Sequence, residues 1–356
     1  GSYRGLVMTH VLLTGIGGFI GSHTAEWILR NTDWHLVGID SWKAAHKADR
    51  QRLTQVLSEL DPEMGERLSV YTWDLAEEFS ESFKGRLARD LGDNSIDYII
   101  NMASDSHVTR SISDPGTCWL NNCKLIYNML ELARWASPGL KKFIQVSTDE
   151  VYGDAGWDGP GHVEWDTVLP SNPYSASKAA QEALAISYWR TYLLPIMITN
   201  TMNVIGEMQD PEKFLPKALV KITEGDEMTI HGDGPDRIAK RVWLDAKNMA
   251  AALTYICRNV EPTLYELDSR PKRFHVIGDT ELDVLALAQL LADKVDKPLN
   301  YSLVRGDDVR PGYDRRYALV DNNLKSEGFK APFTFDNTLE RIIRWYNLHP
   351  EWLWDS

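Results

Sequence analysis

Short apolar runs alternate with helical patterns through the first 200 residues, and this alternation constrains the fold more than any other feature of the sequence. The runs with the character of buried strands are residues 10–14, 36–40, 68–72, 98–102, 143–147 and 196–200. Helical patterns separate them, for example residues 22–30, 118–136 and 174–192. Strands that alternate with helices build parallel sheets with helices on both faces. The sequence therefore predicts an α/β fold with a doubly wound parallel sheet.

A glycine-rich turn directly follows the first predicted strand and opens a helix. Gly15, Gly18 and Gly21 form a Gly-x-x-Gly-x-x-Gly pattern. Such glycines make a tight turn and let the backbone approach a pyrophosphate, which the N–H groups at the helix start can bind. Asp40 ends the second predicted strand, where a carboxylate accepts hydrogen bonds from both ribose hydroxyls and repels a 2′-phosphate. This arrangement predicts a Rossmann site for NAD rather than NADP.

Further cofactor contacts are expected where the next two strands end. Asp74 and Leu75 follow the third strand and are placed to contact the adenine, while Ala103 and Ser104 follow the fourth, beside the pyrophosphate and ribose. The complete set predicted to contact NAD is Gly15, Gly18, Phe19, Ile20, Gly21, Asp40, Asp74, Leu75, Ala103, Ser104, Tyr174 and Lys178.

The chain of 356 residues is long enough for a large domain and a smaller one. After residue 200 the regular alternation of strand-like and helical patterns ends, and shorter elements are separated by turn sequences such as Gly232-Asp-Gly-Pro. We predict an NAD-binding Rossmann domain at 8–200, with return segments at about 241–277. A smaller C-terminal substrate-binding lobe is expected from 201–240 and 278–350.

The charge balance excludes several classes of partner. There are 38 Lys and Arg against 51 Asp and Glu, a formal net charge of −13, which argues against a nucleic-acid surface and against anionic membranes. No run approaches the roughly 18 apolar residues of a membrane span. The three cysteines cannot form a disulfide framework, and Cys118 and Cys123 lack neighbours at metal-ligand spacing. We expect buried thiols, no metal, no signal peptide and a cytoplasmic location.

Two groups of reactive side chains lie close together in the sequence. Thr148, Asp149 and Glu150 end the fifth predicted strand, where ligands of open α/β sheets bind. Tyr174 and Lys178 are four residues apart in the following helix, hence on one face. A cation beside a phenol lowers the phenol's pKa from its reference value of about 10, so Tyr174 is predicted to be a base near neutrality.

The two adjacent carboxyl groups impose a geometric condition. Neighbouring residues on an ideal strand point to opposite faces. Asp149 and Glu150 can therefore reach one ligand only if the strand breaks at Thr148.

Together these motifs resemble the extended short-chain dehydrogenases/reductases, and among them the nucleotide-sugar 4,6-dehydratases of the dTDP-glucose 4,6-dehydratase type. The resemblance covers nearly the whole chain. It is carried by residues 15–21, 106–108, 110–111, 147–153, 173–178, 199–200, 203, 211–216 and 310–317. The Thr-Asp-Glu triplet is the most discriminating part, because relatives that only epimerise or decarboxylate usually keep the Tyr/Lys pair but lack the Asp-Glu pair.

The resemblance implies a redox step that is later reversed. Tyr174 removes the proton of the sugar's C4 hydroxyl during oxidation by NAD⁺, Thr148 hydrogen-bonds the C4 oxygen, and Lys178 holds the phenolate and the nicotinamide ribose. Glu150 then removes the C5 proton and Asp149 protonates the departing C6 hydroxyl. Reduction at C6 gives a 4-keto-6-deoxy sugar. Asp149 must be protonated and Glu150 ionised, so their environments must separate the two pKa values.

The resemblance also implies a site for a nucleotide-diphosphate hexose. The predicted substrate-binding residues are Ser106, His107, Asn203, Lys213, Arg241, His275, Arg310 and Tyr317. Lys213, Arg241 and Arg310 are the cations expected at the diphosphate, since a guanidinium matches phosphate geometry.

The sequence departs from the family pattern in several places. His275 stands where the family usually has Asn, and residues 233–240 carry extra positions before Arg241. Asp105 and Thr109 replace the usual Glu and Asp, and residues 43–69 are idiosyncratic. The first two departures bear on which nucleobase and which hexose the substrate carries, and the sequence leaves both open. They do not bear on the predicted reaction.

Two other functions are consistent with parts of the sequence. A nucleotide-sugar 4-epimerase, or another sugar-nucleotide enzyme of this superfamily, would use the same Tyr174/Lys178 redox step, but the Asp149-Glu150 pair argues against it. A non-catalytic NAD-binding regulator would usually have lost the Tyr or the Lys, and both are present.

A homodimer is the expected assembly. The helical patterns at 118–136 and 174–192 carry more apolar surface than one sheet contact needs. The apolar residues in question are Trp119, Ile126, Leu130, Leu184 and Trp189. In relatives the equivalent helices pair into a four-helix interface.

Overall fold

A central parallel sheet organises the chain in the computed structural model, which describes residues 8–43, 48–92, 95–106, 108–305 and 314–354. The strands are β1 (His10–Thr14), β2 (His35–Asp40), β3 (Leu68–Thr72), β4 (Tyr98–Asn101), β5 (Lys142–Thr148), β6 (Ile196–Thr201), β7 (Asn203–Ile205), β8 (Met228–His231), β9 (Lys240–Asp245), β10 (Arg273–Val276), β11 (Glu281–Asp283) and β12 (Tyr301–Val304). Seven of them form the main sheet in the order β10-β6-β5-β4-β1-β2-β3, with every neighbouring pair parallel.

Helices cover both faces of this sheet. Over the described residues they are α1 (Phe19–Asn31), α2 (Ala48–Ser58), α3 (Pro62–Gly65), α4 (Glu81–Leu91), α5 (Val108–Ser113), α6 (Pro115–Ala136), α7 (Pro173–Tyr192), α8 (Phe214–Glu224), α9 (Ala246–Asn259), α10 (Val284–Lys294), α11 (Asn323–Ser326) and α12 (Phe335–Leu348). Short 3₁₀ helices span Asp149–Tyr152 and Pro350–Leu353.

The alternation of buried side chains explains the two layers of helices. Leu13 of β1 packs in a cluster with Ile28 of α1, while its neighbour Leu12 packs on the opposite face with Met129 of α6 and Trp189 of α7. Every residue of β1 and β6 is buried, as in strands covered on both faces. The predicted doubly wound parallel sheet is confirmed, and each strand predicted before residue 200 is present with ends shifted by at most one residue.

A second lobe is built from smaller sheets and its own core. Strands β11, β9 and β7 form a three-stranded sheet, and β12 pairs with β8. Helices α8, α10 and α12 contribute Leu219, Leu291 and Ile342 to a separate apolar cluster. Within the predicted return segments, β10 joins the main sheet whereas β9 lies in the three-stranded sheet. The domain boundaries at 8–200, 201–240 and 278–350 stay a prediction.

The strand order reverses between β1 and β4, which opens a crevice at their carboxyl ends. The Thr14 hydroxyl closes the base of this crevice by donating to Asn101 Oδ1 at 2.8 Å and accepting from the backbone N–H of Ala103 at 3.1 Å. Ligands of open α/β sheets bind at such a switch point. No helix in the described ranges is long and apolar enough to cross a membrane.

Candidate active site

The glycine-rich turn has the shape that its sequence predicts. Gly15 has a φ of +72°, and a Cβ added to Gly21 would lie 1.9 Å from the Gly15 carbonyl oxygen. Helix α1 begins at Phe19 with Gly18 as its N-cap and no capping side chain. The first N–H groups of a helix have no partner within it, so those of Phe19, Ile20 and Gly21 can bind an anion. The backbone here fits a pyrophosphate.

Asp40 lies beside this turn. Its Oδ2 accepts a hydrogen bond from the Gly17 N–H at 2.9 Å, and its Oδ1 accepts one from the Trp42 N–H at 2.9 Å. A Cβ added to Gly17 would lie 2.4 Å from the Trp42 ring, so this indole packs directly on the turn. Sequence reasoning missed Trp42; its only signal was an aromatic residue just after the acidic end of β2.

The residues that follow β3 and β4 line the same edge of the sheet. Asp74 forms an ion pair with the exposed Lys43 at 2.5 Å. Partial burial raises the pKa of Asp74, but hydrogen bonds from Lys43 and from the Ala76 N–H outweigh it and lower the pKa. The Leu75 side chain is buried and its carbonyl accepts from Asn128. After β4, Ala103 lies against Gly15, where an added Cβ would be 3.2 Å from the Ala103 Cα.

Helix α7 carries Tyr174 and Lys178 into the interior. The helix starts with a capping box between Asn172 and Ser175, and Pro173 occupies its first turn. Both side chains are buried. Lys178 Nζ donates to the Val146 carbonyl at 2.9 Å and to Gln181 Oε1 at 2.7 Å.

The predicted low pKa of Tyr174 is wrong for the chain alone. Burial raises its pKa, and the charge of Glu150 raises it further, while a hydrogen bond with Ser104 opposes them. Burial also lowers the pKa of Lys178 to about 8. The sequence gives the spacing of the pair but not its burial, and burial disfavours both charged forms.

The strand breaks where the two adjacent carboxyl groups require it. Strand β5 ends at Thr148, and the chain turns into a 3₁₀ helix, the catalytic turn (Asp149–Tyr152). Thr148 Oγ1 caps the turn by accepting from the Glu150 N–H at 3.3 Å and also donates to Asp149 Oδ1 at 3.0 Å. Gly153, with a φ of +77°, ends the turn.

The two carboxyl groups of the catalytic turn have different surroundings. Asp149 is buried, and its Oδ2 has no hydrogen-bond partner in the described part of the chain. Burial raises the pKa of Asp149 to about 7, with a further contribution from the Glu150 charge and opposing effects from Thr148 and Arg241. Glu150 is only half-buried and accepts a hydrogen bond from the Tyr317 hydroxyl at 3.0 Å. An acid whose pKa is raised toward neutrality, beside a second and less buried carboxyl group, is the pairing that acid–base elimination needs.

Arg241 and Tyr317 approach this pair from the second lobe. The Arg241 guanidinium lies over the Tyr317 ring at 4.6 Å and donates to the carbonyls of Lys240, Asp314 and Arg315. Burial and the nearby carboxylates of Glu150 and Asp314 raise the pKa of Tyr317. Tyr317 therefore stays protonated and able to donate.

The other predicted substrate residues are more scattered. Ser106 is exposed after β4, Asn203 begins β7, and Lys213 is exposed at the N-cap of α8. His107 and Arg310 lie outside the described residues.

The prediction of a ligand contact for His275 is corrected by its surroundings. The ring is fully buried on β10, and both nitrogens bond within the protein, to the Tyr152 hydroxyl and to the Val320 carbonyl, each at 2.8 Å. The alternation along a strand shows which face a residue is on, but not whether that face is covered. In the described ranges there is also no cluster of His, Cys, Asp and Glu suited to a metal.

The comparisons with known proteins agree with this geometry. Residues 12–341 match the family described as GDP-mannose 4,6 dehydratase. The chain belongs to this family.

A dTDP-glucose 4,6-dehydratase of Escherichia coli is 32% identical over 362 residues, which cover 96% of this chain and 94% of that protein. A trifunctional protein of Arabidopsis thaliana, whose name begins with UDP-glucose 4,6-dehydratase, is 31% identical over 350 residues, 97% of this chain and 48% of that protein. Among solved structures, a dTDP-glucose 4,6-dehydratase from Streptomyces venezuelae with NAD bound has a TM-score of 0.78 at 29% identity, covering 97% of this chain and 98% of that one.

This agreement confirms the predicted superfamily and the enzyme class, an NAD-dependent nucleotide-sugar 4,6-dehydratase. The roles of individual residues, the nucleobase and the hexose are not fixed by family membership.

Proposed function

We propose that the chain converts a nucleoside-diphosphate hexose to its 4-keto-6-deoxy derivative with loss of one water, using NAD that is regenerated in each cycle. The observation that carries this proposal is the break after Thr148, which places a buried acid with a pKa of about 7 next to Glu150. A redox step alone needs Tyr174 and Lys178 but has no use for an acid–base pair. The pair therefore favours the dehydratase over the 4-epimerase.

The chain's own groups fit NAD. Gly15, Gly18 and Gly21 keep the turn tight at the uncapped start of α1, where the pyrophosphate would bind. Asp40, hydrogen-bonded to the Gly17 N–H of the same turn, would accept from the adenosine ribose. When bound, NAD⁺ supplies reversible two-electron oxidation and reduction, and its positive nicotinamide ring favours an ionised phenol nearby. Ala103, Ser104, Tyr174 and Lys178 would border the nicotinamide half of the cofactor, and Asp74 and Leu75 would border the adenine half.

The proton transfers are assigned to side chains at the carboxyl end of β5. Tyr174 accepts the proton of the C4 hydroxyl, and Thr148 hydrogen-bonds the C4 oxygen. The C4 ketone acidifies the C5 proton, which Glu150 takes. Asp149 donates its proton to the C6 hydroxyl, which leaves as water, and a proton returns to C5 when C6 is reduced. Lys178 places a positive charge on the α7 face that carries Tyr174.

We assign the binding of the substrate's diphosphate and nucleobase to the second lobe and to the residues where it meets the main sheet. Arg241 and Lys213 would supply positive charge, Asn203 would supply neutral hydrogen-bond donors, and Ser106 and Tyr317 would contact the sugar. His107 and Arg310, outside the described residues, complete the predicted set. The names of the relatives make dTDP-glucose and UDP-glucose the first substrates to test.

We also propose a homodimer formed by α6 and α7, with a correction to the residues involved. Ile126, Leu130 and Trp189 are buried in the protomer's own core, and Leu184 is partly buried. The exposed apolar residues on these two helices are Trp119, Leu120, Tyr127, Trp135 and Tyr192. A cytoplasmic, reducing location is proposed because all three cysteines are free thiols.

The test is product analysis by mass spectrometry and NMR after incubation with dTDP-glucose, UDP-glucose, CDP-glucose and GDP-mannose. A product lighter by one water, with a C4 ketone and a C6 methyl group, is expected from one of them. A product of unchanged mass with inverted C4 would indicate an epimerase. The absence of turnover with all four would favour a non-catalytic NAD-binding protein.

A further inference from the structure

A buried polar cluster lies directly behind the catalytic turn, and no step assigned above uses it. At its centre, Arg273 of β10 and Glu182 of α7 form an ion pair at 2.9 Å, and each residue is only 2% exposed. A buried ion pair is rarely more stabilising than a well-packed apolar pair, because both charges lose their hydration. Its presence calls for an explanation other than stability.

The ion pair is tied to the start of the catalytic turn through Asn200. Asn200 Oδ1 accepts from Arg273 Nη1 at 2.8 Å, and its Nδ2 donates to Glu182 Oε1 at 2.8 Å. The same Nδ2 donates to the Thr148 carbonyl at 3.0 Å. The peptide that leads into Asp149 is thus held by the cluster.

The end of the turn is held through Tyr152. Its hydroxyl accepts from Arg273 Nη1 at 3.3 Å and contacts His275 Nε2 at 2.8 Å. The other ring nitrogen, Nδ1, faces the Val320 carbonyl at 2.8 Å, and because a carbonyl can only accept, Nδ1 carries the proton. Burial lowers the pKa of His275 to about 4, so the ring is neutral and Nε2 accepts from the Tyr152 hydroxyl. The Tyr152 hydroxyl also lies 3.5 Å from Asn200 Oδ1, but the contact with His275 Nε2 is the shorter of the two.

The cluster also reaches the helix that carries the redox pair. Glu182 lies on α7, one turn after Lys178 and two turns after Tyr174. Asp149 and Glu150 therefore lie between two anchored points, the Thr148 carbonyl and the Tyr152 hydroxyl. The first is connected to Glu182 of α7 through Asn200, and the second through Arg273. A shift of either anchor moves the acid and the base relative to the sugar carbon that Tyr174 has oxidised.

We propose that Tyr152, His275 and Arg273 are positioning residues that fix Asp149 and Glu150 relative to Tyr174 for the elimination step. The proposal rests on the dehydratase function proposed above. Misplacement of catalytic groups by about 1 Å can lower a rate by about a hundredfold. Loss of one anchor should therefore slow elimination by about ten- to a hundredfold, while nucleotide-sugar binding and the first oxidation are kept.

Tyr152→Phe is the direct test, because it removes one oxygen and keeps the ring that packs in the core. Tyr255→Phe is the matched control, since it removes a hydroxyl that bonds the Glu327 carbonyl and has no described contact with the turn. For each purified protein we would measure melting temperature, bound NAD, and kcat and KM with dTDP-glucose and UDP-glucose. Absorbance of reduced cofactor during single turnover distinguishes the oxidation from the elimination.

The expected result for Tyr152→Phe is a kcat lowered ten- to a hundredfold, unchanged KM and NAD content, and reduced cofactor that accumulates. Tyr255→Phe should keep the wild-type kcat. His275→Phe, which keeps a ring but has no nitrogen to accept from the Tyr152 hydroxyl, should resemble Tyr152→Phe. The double variant should lose no more than either single one, since both changes act through the same anchor.

A wild-type kcat in both Tyr152→Phe and His275→Phe would overturn the positioning role and leave the proposed function intact. A loss of kcat that follows a loss of bound NAD, without accumulation of reduced cofactor, would also overturn it and show a merely structural role. If the wild-type protein dehydrates neither nucleotide sugar, nor CDP-glucose nor GDP-mannose, the proposed function falls and the positioning role falls with it.

Discussion

The Tyr317 hydroxyl, from the second lobe, donates a hydrogen bond to Glu150 Oε1 at 3.0 Å, next to the Arg241 guanidinium stacked on the Tyr317 ring. This contact brings Tyr317, which is more than 160 positions away in the sequence, against Glu150 of the catalytic turn. Since the phenol stays protonated, it can orient the carboxylate that the proposed function assigns to the C5 proton.

Removal of this hydrogen bond should slow the reaction without loss of cofactor. We expect Tyr317→Phe to lower kcat by about tenfold, because a hydrogen bond to a charged group contributes about 1.5–3 kcal/mol. Steady-state kinetics with the substrate identified by product analysis would measure the effect. Tyr301→Phe, at a half-exposed position on β12, is the control and should keep the wild-type kcat. A kcat for Tyr317→Phe equal to that of the control would show that the contact has no catalytic role.

The raised pKa of Asp149 predicts a specific pH dependence of stability. The carboxyl titrates near 4 in an unfolded chain and at about 7 in the folded protein, so the folded state binds the proton more tightly. The free energy of unfolding should therefore contain a favourable contribution below about pH 4 that is lost as the pH rises through about 7.

Asp149→Asn removes this dependence, so the melting temperature of the variant relative to wild type should rise between about pH 5 and about pH 8. Asp158→Asn, at an exposed loop position, should show no such trend. A constant difference between wild type and Asp149→Asn across this range would contradict the buried-acid assignment.

The tight packing of the glycine-rich turn predicts loss of the cofactor in Gly21→Ala. The added methyl group would lie 1.9 Å from the Gly15 carbonyl oxygen, so the turn or the start of α1 must move. We expect protein purified from cells to carry NAD(H) and not NADP(H), and Gly21→Ala to carry little of either. Gly85→Ala is the control, because an added Cβ there meets nothing within 4 Å. This control should keep NAD and gain up to about 1 kcal/mol of stability. Full NAD content in Gly21→Ala would refute the cofactor site.

The exposed apolar residues of α6 predict the oligomeric state. Light scattering at micromolar concentration should give the mass of a dimer, and Tyr127→Glu should shift it toward the monomer. Leu348→Glu, on α12, adds the same charge at a more exposed position outside the proposed interface and should leave the dimer intact. A monomeric wild-type protein would exclude the interface.

The sequence was sufficient to predict the fold and to require a break in the chain after Thr148, but not to predict the surroundings of that break. Apolar runs that alternate with helical patterns locate β1 to β6 well, because all of these strands except β3 are mostly buried. The cluster of Arg273, Glu182 and Asn200 could not be predicted, since its members are far apart in sequence and meet only through the order of β5, β6 and β10.

Burial accounts for the predictions that the structure corrected. A four-residue spacing places Tyr174 and Lys178 on one helical face, but their pKa values depend on how much water that face retains. Ile126, Leu130 and Trp189 lie in helices that pack on the sheet and on each other, so their apolar surface is used within the protomer. An apolar helix face in a sequence does not show which neighbour covers it.

The most direct test of the central claim compares Asp149→Asn/Glu150→Gln with Tyr174→Phe. The double variant removes the acid and the base of elimination but leaves the redox residues in place, and each such group typically contributes about 10²–10⁴-fold. With the true substrate, the double variant should accumulate NADH absorbance and release almost no 4-keto-6-deoxy product. Tyr174→Phe should instead build up no such absorbance. Release of the product by the double variant at a near wild-type rate would contradict the assignment of Asp149 and Glu150, and with it the dehydratase mechanism.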